Sequence, residues 1–330
     1  MPKASETDAQ VAVLIAAFNA EATIATAVQS SLEQAETAEV VVIDDASTDA
    51  TVEKAVEAAK GDARFTIIKQ PFNQGPSAAR NRGIEATSAP ILAVIDSDDA
   101  FLAGRFAAIT AQEDWDLCAD NVWFTEDPGM LFASPSESQA FTRSCDLDLT
   151  TYVEANIGSK SRVRSELGFL KPAIRRSFLE EHGLEFDERC RLGEDFVLYA
   201  GMMARGARYR LIERCGYAAL VRNNSLSAKH SVTHLRAFLK GTQATLKGVK
   251  LSDAERRAFD HHARHLMDKI VHREVLEIRQ YDGVMPAIWS ALGKPTALRD
   301  IFYDRIRGGD PDPGNSRLMI SADDFARLRA

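Results

Sequence analysis

The stretch Ile91-Leu-Ala-Val-Ile-Asp-Ser-Asp-Asp99 joins five apolar residues directly to a run of acidic and hydroxyl side chains. A short apolar run without polar interruptions predicts a strand that is buried on both faces. Three carboxylates within four residues at the end of such a strand repel one another unless a cation or hydrogen-bond donors compensate for their charge. The stretch therefore predicts a buried strand whose end meets a positive group, with a purely structural turn as the alternative.

The chain before this stretch alternates between two patterns. Short apolar runs predict strands, and apolar residues at helical spacing predict helices. In chain order these segments are strand 11–16, helix 21–33, strand 39–43, helix 51–60, strand 65–69, helix 78–86 and strand 91–95. Strands that alternate with helices are typical of a parallel sheet with helices on both faces, so the pattern predicts an α/β fold.

Polar side chains follow three of these strands at the points where they end. They are Phe18-Asn19, Asp44-Asp45 and Asp96-Ser97-Asp98. Ligands of parallel α/β sheets bind at the carboxyl ends of the strands, so we expect these side chains to converge on one site. For Asp44-Asp45, which Ser47 and Thr48 follow, a turn and a helix cap remain the alternative.

The acidic stretch and the segment before the third helix complement each other chemically. A divalent cation such as Mg²⁺ or Mn²⁺ is commonly held by one or two carboxylates together with phosphate oxygens of a substrate. Residues 73–81 predict a turn that opens a helix, so free backbone N–H groups and Arg80 can face an anion. A solvated helix face is the alternative position for Arg80.

Five segments of the chain, in this order, resemble the inverting family 2 glycosyltransferases of bacterial polysaccharide synthesis, which have the GT-A fold. The segments are Ile15–Asn19, Val42–Asp49, Asn73–Asn81, Ile95–Asp99 and Gly193–Phe196. The resemblance implies a mostly parallel central sheet flanked by helices, with a helical C-terminal extension. Residues 1–9 are expected to form a flexible N-terminus, residues 10–100 the nucleotide-binding half, residues 101–230 the acceptor half, and residues 231–330 the helical extension.

The resemblance also implies roles for individual residues. Asp45, with Asp44 beside it, is expected to contact the uracil base and ribose, and Asp96 the ribose and sugar. Arg80 is expected near the diphosphate or donor sugar, and Asp98 as the metal ligand. The remaining nucleotide-sugar contacts are expected at Ala17, Phe18, Asn19, Gly75, Ser97, Glu194 and Arg222. His230 is a second candidate metal ligand, and a surface or capping histidine is its alternative.

Two residues depart from the family pattern. Ala17 stands where Pro is usual, and Ala46 stands where Gly usually follows the paired aspartates. Neither change removes a functional side chain. Ala46 leaves open whether its turn uses a positive φ angle, which glycine tolerates and alanine resists.

Glu194 and Asp195 open an apolar helical segment that continues to Met203. In the family this pair supplies the general base. An inverting transfer needs a carboxylate that takes the proton of the acceptor hydroxyl as its oxygen attacks the sugar, and Asp195 is the candidate. Alternatively, the two acids only complement the dipole of the helix.

The chain as a whole constrains its partners. A net charge of −8 argues against broad nucleic-acid binding, and four widely spaced cysteines indicate buried free thiols. A polar N-terminus and the lack of a bilayer-length apolar run lead us to expect a cytoplasmic protein. Residues 229–250 are basic and interleaved with apolar residues, which predicts either a peripheral contact with the inner face of the plasma membrane or an ordinary packing helix. Four histidines at 261, 262, 265 and 272 are interpreted as solvated helix residues, with a metal site as the alternative because positions three or four apart share a helix face.

The expected activity is transfer of a hexose, with glucose as first choice, from a UDP-sugar to a saccharide acceptor. By resemblance, residues 193–227 point to glucosyltransferases of the succinoglycan type and to a lipid-linked oligosaccharide as acceptor. A non-catalytic nucleotide-sugar-binding scaffold is one alternative, and a phosphatase-type hydrolase that uses the Asp-Ser-Asp stretch is another. A dinucleotide-dependent dehydrogenase is set aside because no GxGxxG follows the first strand.

Overall fold

A computed structural model describes residues 10–132, 143–157, 167–221, 231–292 and 317–329. Its N-terminal half contains a parallel sheet in the order β3-β2-β1-β4. The elements are β1 (Val11–Ala17), α1 (Ile24–Leu32), β2 (Thr37–Asp44), α2 (Thr51–Ala59), β3 (Phe65–Lys69), α3 (Pro76–Glu85) and β4 (Ile91–Asp96). The predicted alternation of strands and helices is therefore confirmed, with boundaries that move by at most three residues.

The second half extends the same sheet with shorter elements. They are β5 (Ala100–Phe101), α4 (Arg105–Thr110), β6 (Leu117–Thr125), β7 (Ser144–Leu147), α5 (Leu149–Ala155), β8 (Ala173–Arg175), α6 (Arg176–His182), α7 (Glu194–Met203) and β9 (Tyr209–Leu220). The long pairings β1–β2, β1–β4, β2–β3 and β6–β9 are parallel, and the short pairings, including β4–β8 and β6–β8, are antiparallel. The predicted α/β fold with a mostly parallel central sheet is confirmed.

The direction of strand β8 determines which residues lie beside the end of β4 at the carboxyl edge of the sheet. It lies between β4 and β6 and runs antiparallel to both. Its amino end therefore lies at the edge where β4 and β6 end. The residues just before β8, including Lys171, are delivered to the end of β4, although 75 positions or more separate them from β4 in the sequence.

The parallel strands form the centre of the hydrophobic core. Val11, Leu14 and Ile15 of β1 and Ile95 of β4 are completely buried. Side chains on both faces of these strands are removed from water because helices cover both sides, which is why the sequence shows continuous apolar runs instead of alternation. The four cysteines are buried free thiols, as predicted.

The C-terminal part consists of α8 (Val232–Thr245), α9 (Asp253–Tyr281), α10 (Val284–Leu292), β10 (Arg317–Leu318) and α11 (Ala322–Arg329). β10 pairs with β6, and the Asn121 amide bonds to the Ile320 backbone at 2.7 Å and 3.0 Å. Phe325 is buried in the main core. The extension is thus helical as expected over 232–292, but its final segment returns to the sheet. The boundary at residue 230 remains a prediction.

Helix α8 lies within the basic region at 229–250. Its apolar residues Leu235 and Phe238 pack against Leu266 and Ile270 of α9. The cationic side chains of α8 face solvent; one of them, Arg236, pairs with Glu274 at 2.6 Å. This arrangement agrees with the packing-helix interpretation. Among the helices of the described segments, none is long and apolar enough to span a bilayer.

The histidines of α9 have different surroundings. His261 is half-exposed and lies 2.9 Å from the Glu154 carboxylate. His262, in contrast, is buried and stacks on Phe196 at 4.4 Å between ring centroids. Burial, reinforced by neighbouring positive charges, lowers the pKa of His262 to about 3. The interpretation as solvated helix residues was wrong for His262, because the helical period turns it toward α7.

Candidate active site

Arg80 of α3 lies at the centre of a buried ionic cluster. Its Nη1 atom donates to Glu194 Oε1 at 2.7 Å and to Asp195 Oδ1 at 2.9 Å, and its Nη2 atom donates to Asp96 Oδ1 at 2.9 Å. Its guanidinium carbon also lies 5.4 Å from the centroid of the Phe186 ring. Arg80 is only 3% exposed, so the alternative of a solvated helix face was wrong.

The electrostatics of Arg80 follow from these contacts. Burial opposes a charged guanidinium, but the carboxylates of Asp195, Glu194 and Asp96 outweigh that effect and raise the pKa of Arg80 well above its ordinary value. Arg80 is therefore a permanent cation that binds two helices and the end of β4 together.

Lys171 is the second cation of the cluster, and the sequence analysis missed it. Its Nζ atom lies 2.7 Å from Asp195 Oδ2 and 3.0 Å from Asp96 Oδ2. Burial disfavours the ammonium, but Asp195 and Asp96 outweigh burial and raise the pKa of Lys171. The available signal was a single charge inside the apolar stretch Leu170–Ile174.

Negative charges outnumber positive charges in this ionic cluster. Asp96, Glu194 and Asp195 face Arg80 and Lys171, which leaves an excess of one negative charge. Burial favours the neutral form of Asp96, but the two cations overcome it and lower its pKa to about 2. Burial, followed by the charge of Asp195, raises the pKa of Glu194. Asp96 and Asp195 each use both carboxylate oxygens for the two cations, so the pair is held rigidly.

The acidic stretch after β4 divides into groups with different surroundings. Ser97 and Asp98 are half-buried in the turn, whereas Asp99 is buried. Asp99 Oδ2 accepts from the Tyr217 hydroxyl at 2.6 Å, and that hydroxyl accepts from the Asp96 N–H at 3.2 Å. Burial and the charges of Asp96 and Asp98 raise the pKa of Asp99 well above its ordinary value. Asp99 therefore attaches the turn to β9, whereas Asp98 stays half-buried on the turn.

Asp45 organises the loop that begins α3. Its Oδ1 atom accepts from Gln70 Nε2 at 2.8 Å and from the Gln74 N–H at 2.7 Å, and its Oδ2 atom accepts from the Gly75 N–H at 2.8 Å. Asp44 accepts from the backbone of its own turn. Gly75 has a φ of 94°, a conformation that favours glycine. Through this loop, Asp45 fixes the start of the helix that carries Arg80.

The turns after β1 and β2 hold each other. The Asn19 side chain accepts from the Thr48 N–H at 2.9 Å, and the Asn19 N–H donates to the Ser47 hydroxyl at 2.9 Å. Ala46 has a φ of 64°, so the turn uses a positive φ although alanine resists it. Phe18 is 49% exposed next to Ala17, which is buried at the end of β1. The predicted nucleotide side of the site is thus assembled from two strand ends.

The predicted site residues largely meet at one edge of the sheet. Asp96, Ser97 and Asp98 follow β4, Glu194 and Asp195 begin α7, and Arg80 joins the two sets. Arg222 and His230 lie outside the described residues. Within the described part of the chain, no three His, Cys, Asp or Glu side chains form a group that would hold a metal ion by themselves.

The sheet gathers carboxylates and cations at its carboxyl edge, where ligands of α/β folds bind, and comparisons with known proteins identify the class of protein. The family model described as Glycosyl transferase family 2 matches residues 12–113. The succinoglycan biosynthesis protein ExoU of Rhizobium meliloti is 41% identical over 302 residues, which cover 92% of this chain and 88% of that protein. The chain belongs to glycosyl transferase family 2.

Solved structures share the fold at low identity. The S. aureus TarS 1–349 structure in complex with UDP-GlcNAc has a TM-score of 0.63 at 14% identity, and the match covers 94% of this chain and 96% of that one. A mannosyltransferase of Pyrobaculum calidifontis in complex with GDP-Man and Mn²⁺ has a TM-score of 0.53 at 16% identity, covering 94% and 92%. The predicted family and the GT-A fold are therefore confirmed.

Proposed function

We propose that this glycosyltransferase moves a hexose from a UDP-sugar to a saccharide acceptor, with inversion at the anomeric carbon, during exopolysaccharide assembly. One observation carries the proposal: Asp195 lies within one ionic cluster with Asp96, the residue that ends β4 and begins the acidic turn. A carboxylate that can accept a proton is thereby held beside the edge of the sheet where a nucleotide-sugar is expected to bind.

The donor half of the site is proposed at the ends of β1, β2 and β4. Asp45 and Asn19 shape the loops on the nucleoside side, and Phe18 offers an exposed ring beside them. Gly75 is the N-cap residue of α3, the helix that carries Arg80. This assembly supports contacts with the base and ribose from the first two strand ends and with the diphosphate or sugar from α3 and Asp96.

The chemical step is proposed to run through Asp195. The acceptor hydroxyl oxygen attacks the anomeric carbon while the bond from that carbon to the diphosphate oxygen breaks. The hydroxyl proton passes to Asp195, and the nucleoside diphosphate departs with the bonding electrons. Asp195 is the second residue of α7, so the positive end of the helix dipole lies beside its carboxylate. No covalent nucleophile is needed.

A divalent metal is proposed beside Asp98. The fit rests on the donor set: Asp98 is a half-buried carboxylate on the turn after β4, two residues beyond Asp96, at the edge where the diphosphate is expected. Mg²⁺ and Mn²⁺ need only one or two carboxylates when phosphate oxygens complete their shell, so the lack of a three-ligand group among described residues is compatible with this site. When bound, the metal would neutralise charge on the departing diphosphate. His230 stays a second proposed ligand.

The acceptor is proposed to be an oligosaccharide of a surface polysaccharide, carried on a lipid. Similarity to a succinoglycan biosynthesis protein supports the polysaccharide class. Arg236 and Lys240 of α8 and Lys247 just after it are solvent-facing cations, and they support a contact with an anionic membrane surface from the cytoplasmic side. Glucose remains our first choice of sugar.

Incubation with single donors tests the proposal. UDP-glucose, UDP-galactose, UDP-N-acetylglucosamine and GDP-mannose are offered separately with Mn²⁺, and release of the nucleoside diphosphate is followed with and without a lipid-linked oligosaccharide fraction. We expect acceptor-stimulated turnover with a UDP-sugar, and a β-linked product by NMR. Consumption of GDP-mannose alone would remove the donor assignment.

A matched variant separates the enzyme from a scaffold. Asp195→Asn keeps the size of the side chain but removes the proton acceptor. If the parent turns over no donor with any acceptor yet binds UDP, the scaffold alternative is favoured. If Asp195→Asn turns over as fast as the parent, Asp195 is not the base.

A further inference from the structure

We propose that Lys171 is a positioning residue that sets the distance and orientation between the base Asp195 and the donor-side residue Asp96. This inference rests on the proposed function, because it assigns a role to Lys171 within that reaction. Lys171 reaches both carboxylates from a third element, the segment before β8, which neither the family segments nor the strand-end pattern includes.

The geometry explains why two cations are needed. Arg80 holds Oδ1 of both Asp96 and Asp195, and Lys171 holds Oδ2 of both. With Arg80 alone, each carboxylate could rotate about its terminal bond. The second cation removes that freedom, so the acidic edge of the site and the base act as one rigid unit. Fixed placement of reacting groups is a main source of catalytic acceleration.

The backbone at Lys171 is itself held from two sides. Pro172 follows it, which disfavours helical backbone at Lys171 and keeps the segment extended. The Lys171 carbonyl accepts a hydrogen bond from Arg105 Nη2. Arg105 is completely buried, and its Nε donates to Asp120 Oδ1 at 3.0 Å. The Arg105–Asp120 ion pair in the core therefore fixes the backbone that carries the Lys171 ammonium.

The packing around Arg105 leaves little room for change. Its guanidinium carbon lies 4.7 Å from the centroid of the Phe101 ring and 5.2 Å from that of Tyr217. A Cβ atom at Gly216 would lie 2.0 Å from an Asp120 oxygen, so only glycine fits beside this pair. Tyr217 in turn bonds to the Asp96 N–H. The same buried group thus supports Lys171 and the end of β4.

Steady-state kinetics of three variants test this role. Lys171→Met removes the ammonium at similar length, and Lys171→Arg restores a cation. Lys54→Met is the control because Lys54 lies on the surface, where it pairs with the exposed Glu57 at 3.0 Å. We expect Lys171→Met to lose roughly 100-fold or more in kcat with the donor KM changed by less than about threefold, since orientation and not ground-state binding is lost. Lys171→Arg should recover at least about tenfold of that loss.

Opposite outcomes overturn the role. A kcat of Lys171→Met within about threefold of the parent would show that Lys171 does not position the base. A loss that falls wholly on the donor KM would show that Lys171 binds the donor instead of positioning the base. Loss of melting temperature without loss of kcat in the folded fraction would leave only a structural contribution.

A double-mutant cycle measured without substrate tests the contact between Lys171 and Asp195 independently of the proposed function. Melting temperatures are measured for the parent, Lys171→Met, Asp195→Asn and the combined variant. We expect Lys171→Met to melt lower because uncompensated buried carboxylates remain, and the combined variant to recover part of that loss. Additive shifts overturn the contact. If the two substitutions are coupled in melting temperature but the parent shows no transfer activity, the contact between Lys171 and Asp195 stands. The proposed function and the catalytic role of Lys171 are then both overturned.

Discussion

Arg80 and Asp195 are joined by a 2.9 Å hydrogen bond across 115 positions of the chain. The bond connects α3, whose first turn is fixed by Asp45, with α7, which begins at the predicted base. The predicted donor side and the predicted base therefore share one buried cation. A change at Arg80 must alter both halves of the site at once.

Removal of Arg80 is the first test of this arrangement. Arg80→Met leaves three carboxylates with only Lys171, so we expect a loss of roughly 3 kcal/mol or more in the free energy of unfolding. Urea unfolding at neutral pH measures it. Arg82→Met is the control, because Arg82 pairs with Glu85 on the exposed face of the same helix, and should change stability by less than about 0.5 kcal/mol. Equal losses for the two variants would contradict the buried role of Arg80.

Replacement of the base should separate binding from chemistry. Asp195→Asn is expected to lower kcat by roughly 10² to 10⁴, the range typical for loss of a general base. Affinity for UDP, measured by calorimetry, should stay within about threefold of the parent, because the proposed donor contacts lie on other strand ends. A parallel fall in UDP affinity would place Asp195 in donor binding.

The metal assignment is tested by binding in place of turnover. Calorimetry of UDP with and without Mn²⁺ should show affinity that depends on the metal, and Asp98→Asn should remove most of that dependence while metal-free binding persists. Asp99→Asn is the neighbouring comparison, since Asp99 is bonded to Tyr217 and is expected to affect stability more than metal dependence. Metal dependence that survives Asp98→Asn would exclude Asp98 as the ligand.

Gly193 precedes the base helix with a φ of 72°, and a Cβ atom there would lie 2.6 Å from the Phe238 ring. Gly193→Ala should therefore destabilise through both backbone strain and the clash, by roughly 2 to 4 kcal/mol. Gly61→Ala is a matched control: its φ is 78° but nothing lies within 4 Å, so only the backbone cost of about 1 kcal/mol is expected. Equal losses in denaturant unfolding would mean that the clash is relieved elsewhere.

His262 makes stability depend on pH. Its pKa is lowered from 6.5 to about 3, so the unfolded chain binds its proton first and the folded state loses stability as the pH falls below 6.5 toward about 3. The loss should approach 1.4 kcal/mol per pH unit, or about 2 kcal/mol at about pH 5.

Phenylalanine preserves the stacking of His262 on Phe196 and cannot titrate. Unfolding of the parent and of His262→Phe is compared at about pH 7.5 and about pH 5. When the pH is lowered from about 7.5 to about 5, the free energy of unfolding of the parent should fall by about 2 kcal/mol relative to that of His262→Phe. Parallel pH dependence in both proteins would assign the acid sensitivity to other groups.

The first half of the fold was predictable because each strand is a continuous apolar run. β3 matches its predicted range, and α2 begins at the predicted residue Thr51. In the second half, α7 runs from Glu194 to Met203 as predicted, but β8 with three residues and β7 with four are too short for periodicity to show. β9 extends over twelve residues, but it pairs only with strands that lie far from it in the sequence.

The ionic cluster shows a similar limit. Asp96 could be selected because it stands at a strand end, and Arg80 because a turn opens the helix that carries it, whereas Asp195 was assigned through the resemblance to the family. Their mutual contacts could not be predicted, because contact depends on how α7 crosses the edge of the sheet. Lys171 was missed since its position follows from the antiparallel insertion of β8 between β4 and β6, a topological fact that no local pattern contains.

The close fit between the start of α7 and α8 has a consequence for chimeras. Gly193 lies against Phe238, and Gly241 lies against Cys190, at distances that admit no extra carbon. A hybrid enzyme that joins this catalytic domain to the last hundred residues of a relative would therefore need both partners of each contact from the same parent. The segment to exchange should therefore begin before Cys190, upstream of the base Asp195, and not after the last of the five family segments.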